Sequence, residues 1–227
     1  VWSAVDWHTL EEAAPGRVRF RTRPAMYRAG RYAVEGDWSG ASYFLAAGAI
    51  GTRPVRIEGL RTDSLQGDRV MLDILRDMGA DIDVEADAVT VHPSELHGVK
   101  ADMSRCPDLV PTVAVLAAHA SGSTRLWNAA HLRIKECDRI AVPAQELAKV
   151  GVRCDEHDDG LTIHGDPSLP SRLHSLDGIG FSAHGDHRIA MSLALLELRG
   201  ARLTLDNPAC VGKSFPNFWE CWGKVRV

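Results

Sequence analysis

Among its 227 residues the sequence has no CxxC pair, no long apolar run and no excess of one charge sign. Five cysteines, at 106, 137, 154, 210 and 221, are an odd and scattered set. That excludes a disulfide framework or a structural zinc site and points to a reducing, cytoplasmic compartment. No apolar stretch reaches the ~18 residues of a membrane span, because charges or glycines interrupt each candidate, so no membrane partner is expected. With 26 Lys and Arg against 30 Asp and Glu, both signs interspersed, there is no basic stripe for nucleic acid. The opening Val1-Trp2-Ser3-Ala4 has neither an initiator Met nor a signal pattern and reads as part of something longer. What remains is ample apolar content for one large domain or two small ones.

What is present is a repeat. In its first copy a strand at Tyr32 to Glu35 leads through Gly36-Asp37 into a helix-like run, Ser39 to Ile50. A strand Val55 to Glu58, an amphipathic helix from about Asp68 to Met78 stopped by Gly79, and two short strands, Ile82 to Glu85 and Ala88 to His92, complete it. The second copy repeats this order with Lys100 to Ser104, Leu109 to Ala120, Thr124 to Trp127, Arg139 to Val150, Val152 to Asp155 and Leu161 to His164. The third runs Ile179 to Ser182, Ile189 to Leu198 and Arg202 to Leu205, with a last helix near Pro216 to Lys224 and no closing strand pair. The first helix of each copy is apolar nearly all round and belongs in an interior, whereas the second carries a one-sided stripe. Three pseudo-equivalent β-α-β-α-β-β units round a shared core, an α+β fold, fit this pattern. Asp37, Asp108 and Asp186 precede the three buried helices at spacings of 71 and then 78 residues, above the usual solenoid periods, which favours a closed domain. Residues 1–30 stand outside the repeat, with a turn at Ala14-Pro15-Gly16 and a candidate strand Val18 to Arg21.

Helix starts attract anions and accept Asp caps, so Asp108 and Asp186 read as N-caps or as site carboxylates, and position alone leaves both open. In His184-Gly185-Asp186-His187-Arg188 a cation enters the first turn of a helix, unfavourable by about 0.3–1 kcal/mol unless an anion sits there or Arg188 turns away. No further ligands accompany these histidines at recognisable spacing, which leaves a metal site without support. Arg133-Ile134-Lys135-Glu136-Cys137-Asp138-Arg139 is a solvated face, or a place where cations bind a phosphorylated, carboxylated ligand while Glu136 moves a proton. Val211-Gly212-Lys213-Ser214 is not a P-loop, since the first glycine of that motif falls on Asn207. Ser214 with Pro216 reads as a helix start, which makes Lys213 another cation at a helix N-terminus. Cations at such positions in different repeats point to a polyanionic ligand.

Four stretches in order, EGDWSGASYFLAAGAI, RIKECDRI, GDHRIAMSLAL and GKSFPNFW, resemble the signatures of EPSP synthases, and the similarity runs from about Tyr32 to the C-terminus. The resemblance implies an inside-out, barrel-like α/β domain of three β-α-β-α-β-β units over 31–227, the third incomplete, with residues 1–30 as the end of, or crossover from, an N-terminal domain. It implies enolpyruvyl transfer from phosphoenolpyruvate to the 5-hydroxyl of shikimate 3-phosphate, with no cofactor or metal, in a full enzyme that is monomeric. By position, Asp108 and Glu136 look like the two proton-moving carboxylates, with Asp108 also on the shikimate ring. Lys135, and His131 where Asn is common, resemble shikimate 3-phosphate ligands. Arg139, Arg188 and Lys213 resemble the clamp on phosphoenolpyruvate, with His187 beside it. Cys137 stands where Thr is common. The resemblance further implies that the absent domain supplies the other half of the cleft. Other readings are a UDP-N-acetylglucosamine enolpyruvyltransferase, an RNA 3′-phosphate cyclase relative, and a non-catalytic anion-binding domain.

Overall fold

In a computed structural model, residues 24, 26, 29–174, 178–199 and 202–226 are described. The chain divides into two compact units, Val1–Val34 and Glu35–Val227, and all the elements named here belong to the second. The turn and strand expected at 14–16 and 18–21 lie outside the described residues.

Helix α1, Trp38–Ile50, forms because Asp37 caps it, accepting from the amides of Ser39 and Gly40, and because twelve of its thirteen residues are buried. Its approach to the neighbouring sheet requires glycine, since a Cβ at Gly48 would sit 2.7 Å from the carbonyl oxygen of Val91. That sheet comprises β1 (Val55–Glu58), β2 (Asp81–Val84) and β3 (Ala88–His92), antiparallel in the order β1-β3-β2. The amphipathic segment between β1 and β2 begins as a 3₁₀ turn, Gly67–Val70, and becomes α2, Met71–Asp77, ending before Gly79 at φ 91°.

The second unit repeats this with one more strand. It contains β4 (Lys100–Asp102), α3 (Val110–Ala118), β5 (Ser123–Trp127), α4 (Ala141–Ala148), β6 (Arg153–His157) and β7 (Gly160–His164). The sheet order is β4-β5-β7-β6, with β4 parallel to β5 and the other pairs antiparallel. A short helix α5, Leu169–Leu173, follows. In the third unit β8 (Ile179–Phe181) pairs in parallel with β9 (Leu203–Leu205) round α6 (His187–Ala194), and α7 (Phe218–Val225) closes the chain. The three sheets stay separate and open among the described residues and do not close into one barrel.

The apolar helices meet in the interior. Every residue of α3 is buried, it packs on both α1 and α6, and Thr112 Oγ1 lies 3.2 Å from Ser192 Oγ across the α3–α6 contact. Aromatic packing fixes α7 on α1: Tyr43 packs edge-on with Phe218 at 5.9 Å between ring centroids, and Phe44 lies 5.8 Å from Phe218 and 6.0 Å from Trp222. No helix of the described residues is long and apolar enough to cross a membrane.

Two expectations are corrected. Tyr32 to Glu35 forms no strand; a single rung, from the amide of Gly36 to the carbonyl of Gly59 at 3.0 Å, stands where β4 pairs with β5 in the next unit. Tyr32 and Val34 are both exposed, so the segment buries no apolar face that would favour a longer pairing. Lys213 ends a 3₁₀ stretch, Pro208–Lys213, while α7 starts only at Phe218, so Lys213 is not in the first turn of that helix. Pro216 intervenes, and the α conformation takes hold only after it.

Candidate functional site

The site is organised round Arg139, whose side chain is 2% exposed at the entrance to α4. Its guanidinium donates from Nε to Asp186 Oδ2 at 2.7 Å and from Nη2 to Asp186 Oδ1 at 3.1 Å. It also donates from Nη1 to Asp108 Oδ1 at 2.8 Å and from Nη2 to Glu136 Oε2 at 2.8 Å. One planar fork thus fixes carboxylates from three separate segments. Asp186 is fully buried and caps α6 by accepting from the amide of Arg188 at 2.8 Å. Burial pushes its carboxyl pKa up, but the bonds from Arg139 win and hold it below the usual carboxylate range.

Two further cations reach the same carboxylates. Arg188 Nη2 lies 2.8 Å from Asp108 Oδ2, and its Nη1 donates to the hydroxyl of Ser39 on α1. Lys213, 60% exposed, donates from Nζ to Glu136 Oε1 at 2.6 Å. Chiefly through that bond, the Glu136 carboxyl is held at about 2, so it is ionised at neutral pH. The Tyr43 phenol, buried beside Arg188 and Arg139, is pushed up by burial and stays protonated. His187 is buried with no partner on Nδ1, which lies 3.9 Å from Asp186 Oδ1; burial, then Arg188, depress its pKa and keep the imidazole neutral.

The structure therefore brings Asp108, Glu136, Arg139, His187, Arg188 and Lys213 together, while His131 and Lys135 take no part in these contacts. Both of the latter are exposed and make no side-chain bond to another described residue. The N-cap reading holds for Asp186 and fails for Asp108, which sits inside a 3₁₀ turn, Pro107–Leu109, with its carboxylate spent on the two arginines. The charged loop divides likewise. Arg133 is anchored on Asp138 at 2.8 Å and on the carbonyl of His157 at 2.7 Å, and Asp138 accepts from the amides of Ile140 and Ala141 at the start of α4. Cys137 donates to Asp186 Oδ2 at 3.4 Å, and burial pushes its thiol to about 12, unsuited to a nucleophile.

Sequence reasoning missed Ser39, Tyr43 and Asp68, the last of which receives the hydroxyl of Ser39. The partners Ser39 and Arg188 are 149 residues apart, so no local spacing marks them. It left Asp186 open between a cap and a site carboxylate; the residue is both, capping α6 and neutralising Arg139. Among the described residues, no group of three or more His, Cys, Asp or Glu side chains is placed to hold a metal ion.

A family model described as EPSP synthase (3-phosphoshikimate 1-carboxyvinyltransferase) matches residues 12–222. A 3-phosphoshikimate 1-carboxyvinyltransferase of Methanosphaerula palustris is 43% identical over 206 residues, covering 90% of this chain and 47% of that protein. One from Clostridium kluyveri is 43% identical over 188 residues, covering 82% of this chain and 42% of its own. Among solved structures, an EPSP synthase from Acinetobacter baumannii superposes with a TM-score of 0.72 at 30% identity, over 85% of this chain and 46% of that one. The enolpyruvyl transferase NikO from Streptomyces tendae superposes with a TM-score of 0.63 at 28% identity, over 85% of this chain and 43% of that one. The chain spans about half the length of the curated relatives it matches.

Proposed function

This chain belongs to the EPSP synthase family, and we propose that it supplies one half of an active site that transfers the enolpyruvyl group of phosphoenolpyruvate to the 5-hydroxyl of shikimate 3-phosphate, releasing phosphate. The observation that carries this reading is the convergence of Asp108, Glu136, Arg139, Arg188 and Lys213 from separate segments onto one place.

In the structure each cation is held by a carboxylate, so an incoming dianion exchanges partners and does not meet bare charge. Lys213 and Arg188 are the easier to recruit, one exposed and the other with a single carboxylate partner. Arg139, with all three nitrogens engaged, orients the carboxylates, and one of them must let go for it to reach the ligand. Once ligand phosphate occupies Lys213, Glu136 loses the bond that most depresses its pKa, its affinity for a proton rises, and it becomes able to give one to the methylene carbon of phosphoenolpyruvate. Asp108 accepts the 5-hydroxyl proton as that oxygen attacks C2. In the elimination Glu136, now ionised, takes a proton back from C3 as the C2–O bond to phosphate breaks, and Asp108 returns its proton to the leaving phosphate; two carboxylates in different environments suit these successive proton transfers. His131 and Lys135 reach shikimate 3-phosphate from the exposed rim.

The finer architecture is part of the same proposal: an inside-out domain of three β-α-β-α-β-β units, with residues 1–30 as the end of, or crossover from, an N-terminal half that completes the third unit and the cleft. The five cysteines, all free thiols, favour a reducing, cytoplasmic compartment for the enzyme. The test is phosphate release from phosphoenolpyruvate plus shikimate 3-phosphate, by this chain with and without a separately produced N-terminal half. Activity is expected only in the mixture and is lost in Asp108→Ala and Glu136→Gln. An associated mixture that releases no phosphate overturns the reading.

A further inference from the structure

The turn that presents Asp186, His187 and Arg188 is itself held from outside the site. His184 has φ 50° and Gly185 φ 71°, two successive left-handed residues, and the first has a Cβ that disfavours this conformation. Such a residue persists where its surroundings over-determine it. Here Glu146 of α4, only 2% exposed, accepts from the backbone amide of Ser182 at 3.1 Å and from Lys149 Nζ at 2.7 Å, and meets His184 Nε2 at 2.9 Å. Asp206 holds the other side, accepting from Ser182 Oγ at 2.6 Å and from the amide of Ala183 at 2.8 Å. The amide of Asp186 then closes onto the carbonyl of Ala183 at 2.8 Å.

Helix α4 carries both ends of this arrangement. The loop leading into it holds Glu136 and Arg139, and its middle holds Glu146. One rigid element therefore fixes the distance between Arg139 and the turn bearing its partner Asp186. We propose that Glu146 and His184 are positioning residues of the site, a buried carboxylate bonded to a partly exposed imidazole that together lock the left-handed turn and so set Asp186 and Arg188 against Arg139. The kinetic consequence rests on the function proposed above; the structural one does not.

The test compares Glu146→Gln, His184→Asn and the double variant, in this chain assayed with its complementary half. Asn tolerates the left-handed conformation, so His184→Asn removes the bond to Glu146 while sparing the backbone, and it stays informative where Glu146→Gln fails to fold. Misplacing Arg188 is expected to raise KM for phosphoenolpyruvate about tenfold to a hundredfold with a smaller fall in kcat. The double variant should be within twofold of the worse single one, because both changes break the same contact. Independently of activity, the Arg139 Nε–H resonance of the chain, protected by Asp186, should shift and exchange faster in both single variants. Kinetics unchanged within twofold in a folded His184→Asn, or multiplying effects in the double variant, would overturn the proposal. A wild-type mixture without phosphate release sinks the functional reading instead. The Arg139 resonance then decides alone, and an unmoved signal in both variants rejects the pair.

Discussion

Replacing Asp186 by Asn keeps the size and one cap-competent oxygen of the side chain but removes the charge that neutralises Arg139. In the native protein Asp186 takes two bonds from Arg139, at 2.7 and 3.1 Å, and both groups are excluded from water. Breaking one partner of such a buried pair costs about 3–5 kcal/mol, because the other charge is left buried. Asp108 and Glu136 still face Arg139 and offset part of that, which puts the expected loss at the lower end, about 3 kcal/mol. At about 2–4 °C per kcal/mol for a domain of this size, Tm should fall by roughly 6–12 °C. The pH dependence carries a second signature. Asp186 has a folded pKa below its unfolded value, so its contribution is complete above the unfolded pKa and is lost as pH falls through the folded one. Melting curves from pH 7 down to pH 3 should therefore converge, with the variant losing less on acidification than the native chain. A Tm within about 2 °C of native at pH 7, or curves that stay parallel in acid, would show that Arg139 is neutralised mainly by Asp108 and Glu136 and that the central assignment to Asp186 is wrong.

Two other expectations follow from the same geometry. Lys213→Met removes the bond that most depresses the Glu136 carboxyl, so its pKa, about 2 in the native chain, should rise toward the ordinary carboxylate range in a ¹³C-detected titration. Because Lys213 is largely exposed, Tm should move by little; an unmoved Glu136 titration would transfer the effect to Arg139. Phe218→Ala empties a fully buried position that stacks on Trp222 and touches Tyr43 and Phe44. It should cost about 3–5 kcal/mol, and calorimetry showing under 1 kcal/mol would mean that α7 does not help hold α1 in place.

Local pattern was enough to find the interior helices. SGASYFLAAGAI and LVPTVAVLAAHA have no polar face, and a helix without one has nowhere to go but inside. The strand Val55–Glu58 and the hairpin strand Ala88–His92 are observed at their expected bounds, since short apolar runs closed by Gly59 and by Pro93 are local signals. Tyr32 to Glu35 reads equally well as a strand by composition, yet a strand needs a partner in register over several residues, and that is a tertiary condition. The site divides along the same line. Residue types announced a cluster of cations and carboxylates, but which carboxylate neutralises which cation depends on residues 31, 47 and 77 positions apart. Asp108 and Asp186 look alike in sequence, each an acid ahead of an apolar helix. They diverge because Pro107 starts a 3₁₀ turn at Asp108, which displaces its carboxylate from the cap position and frees it for Arg139 and Arg188. Asp186 instead follows two left-handed residues that put it at the head of α6 in extended conformation, where one carboxylate both caps the helix and pairs with Arg139. The backbone just before each acid, more than the acid itself, decides which of them remains available to a ligand.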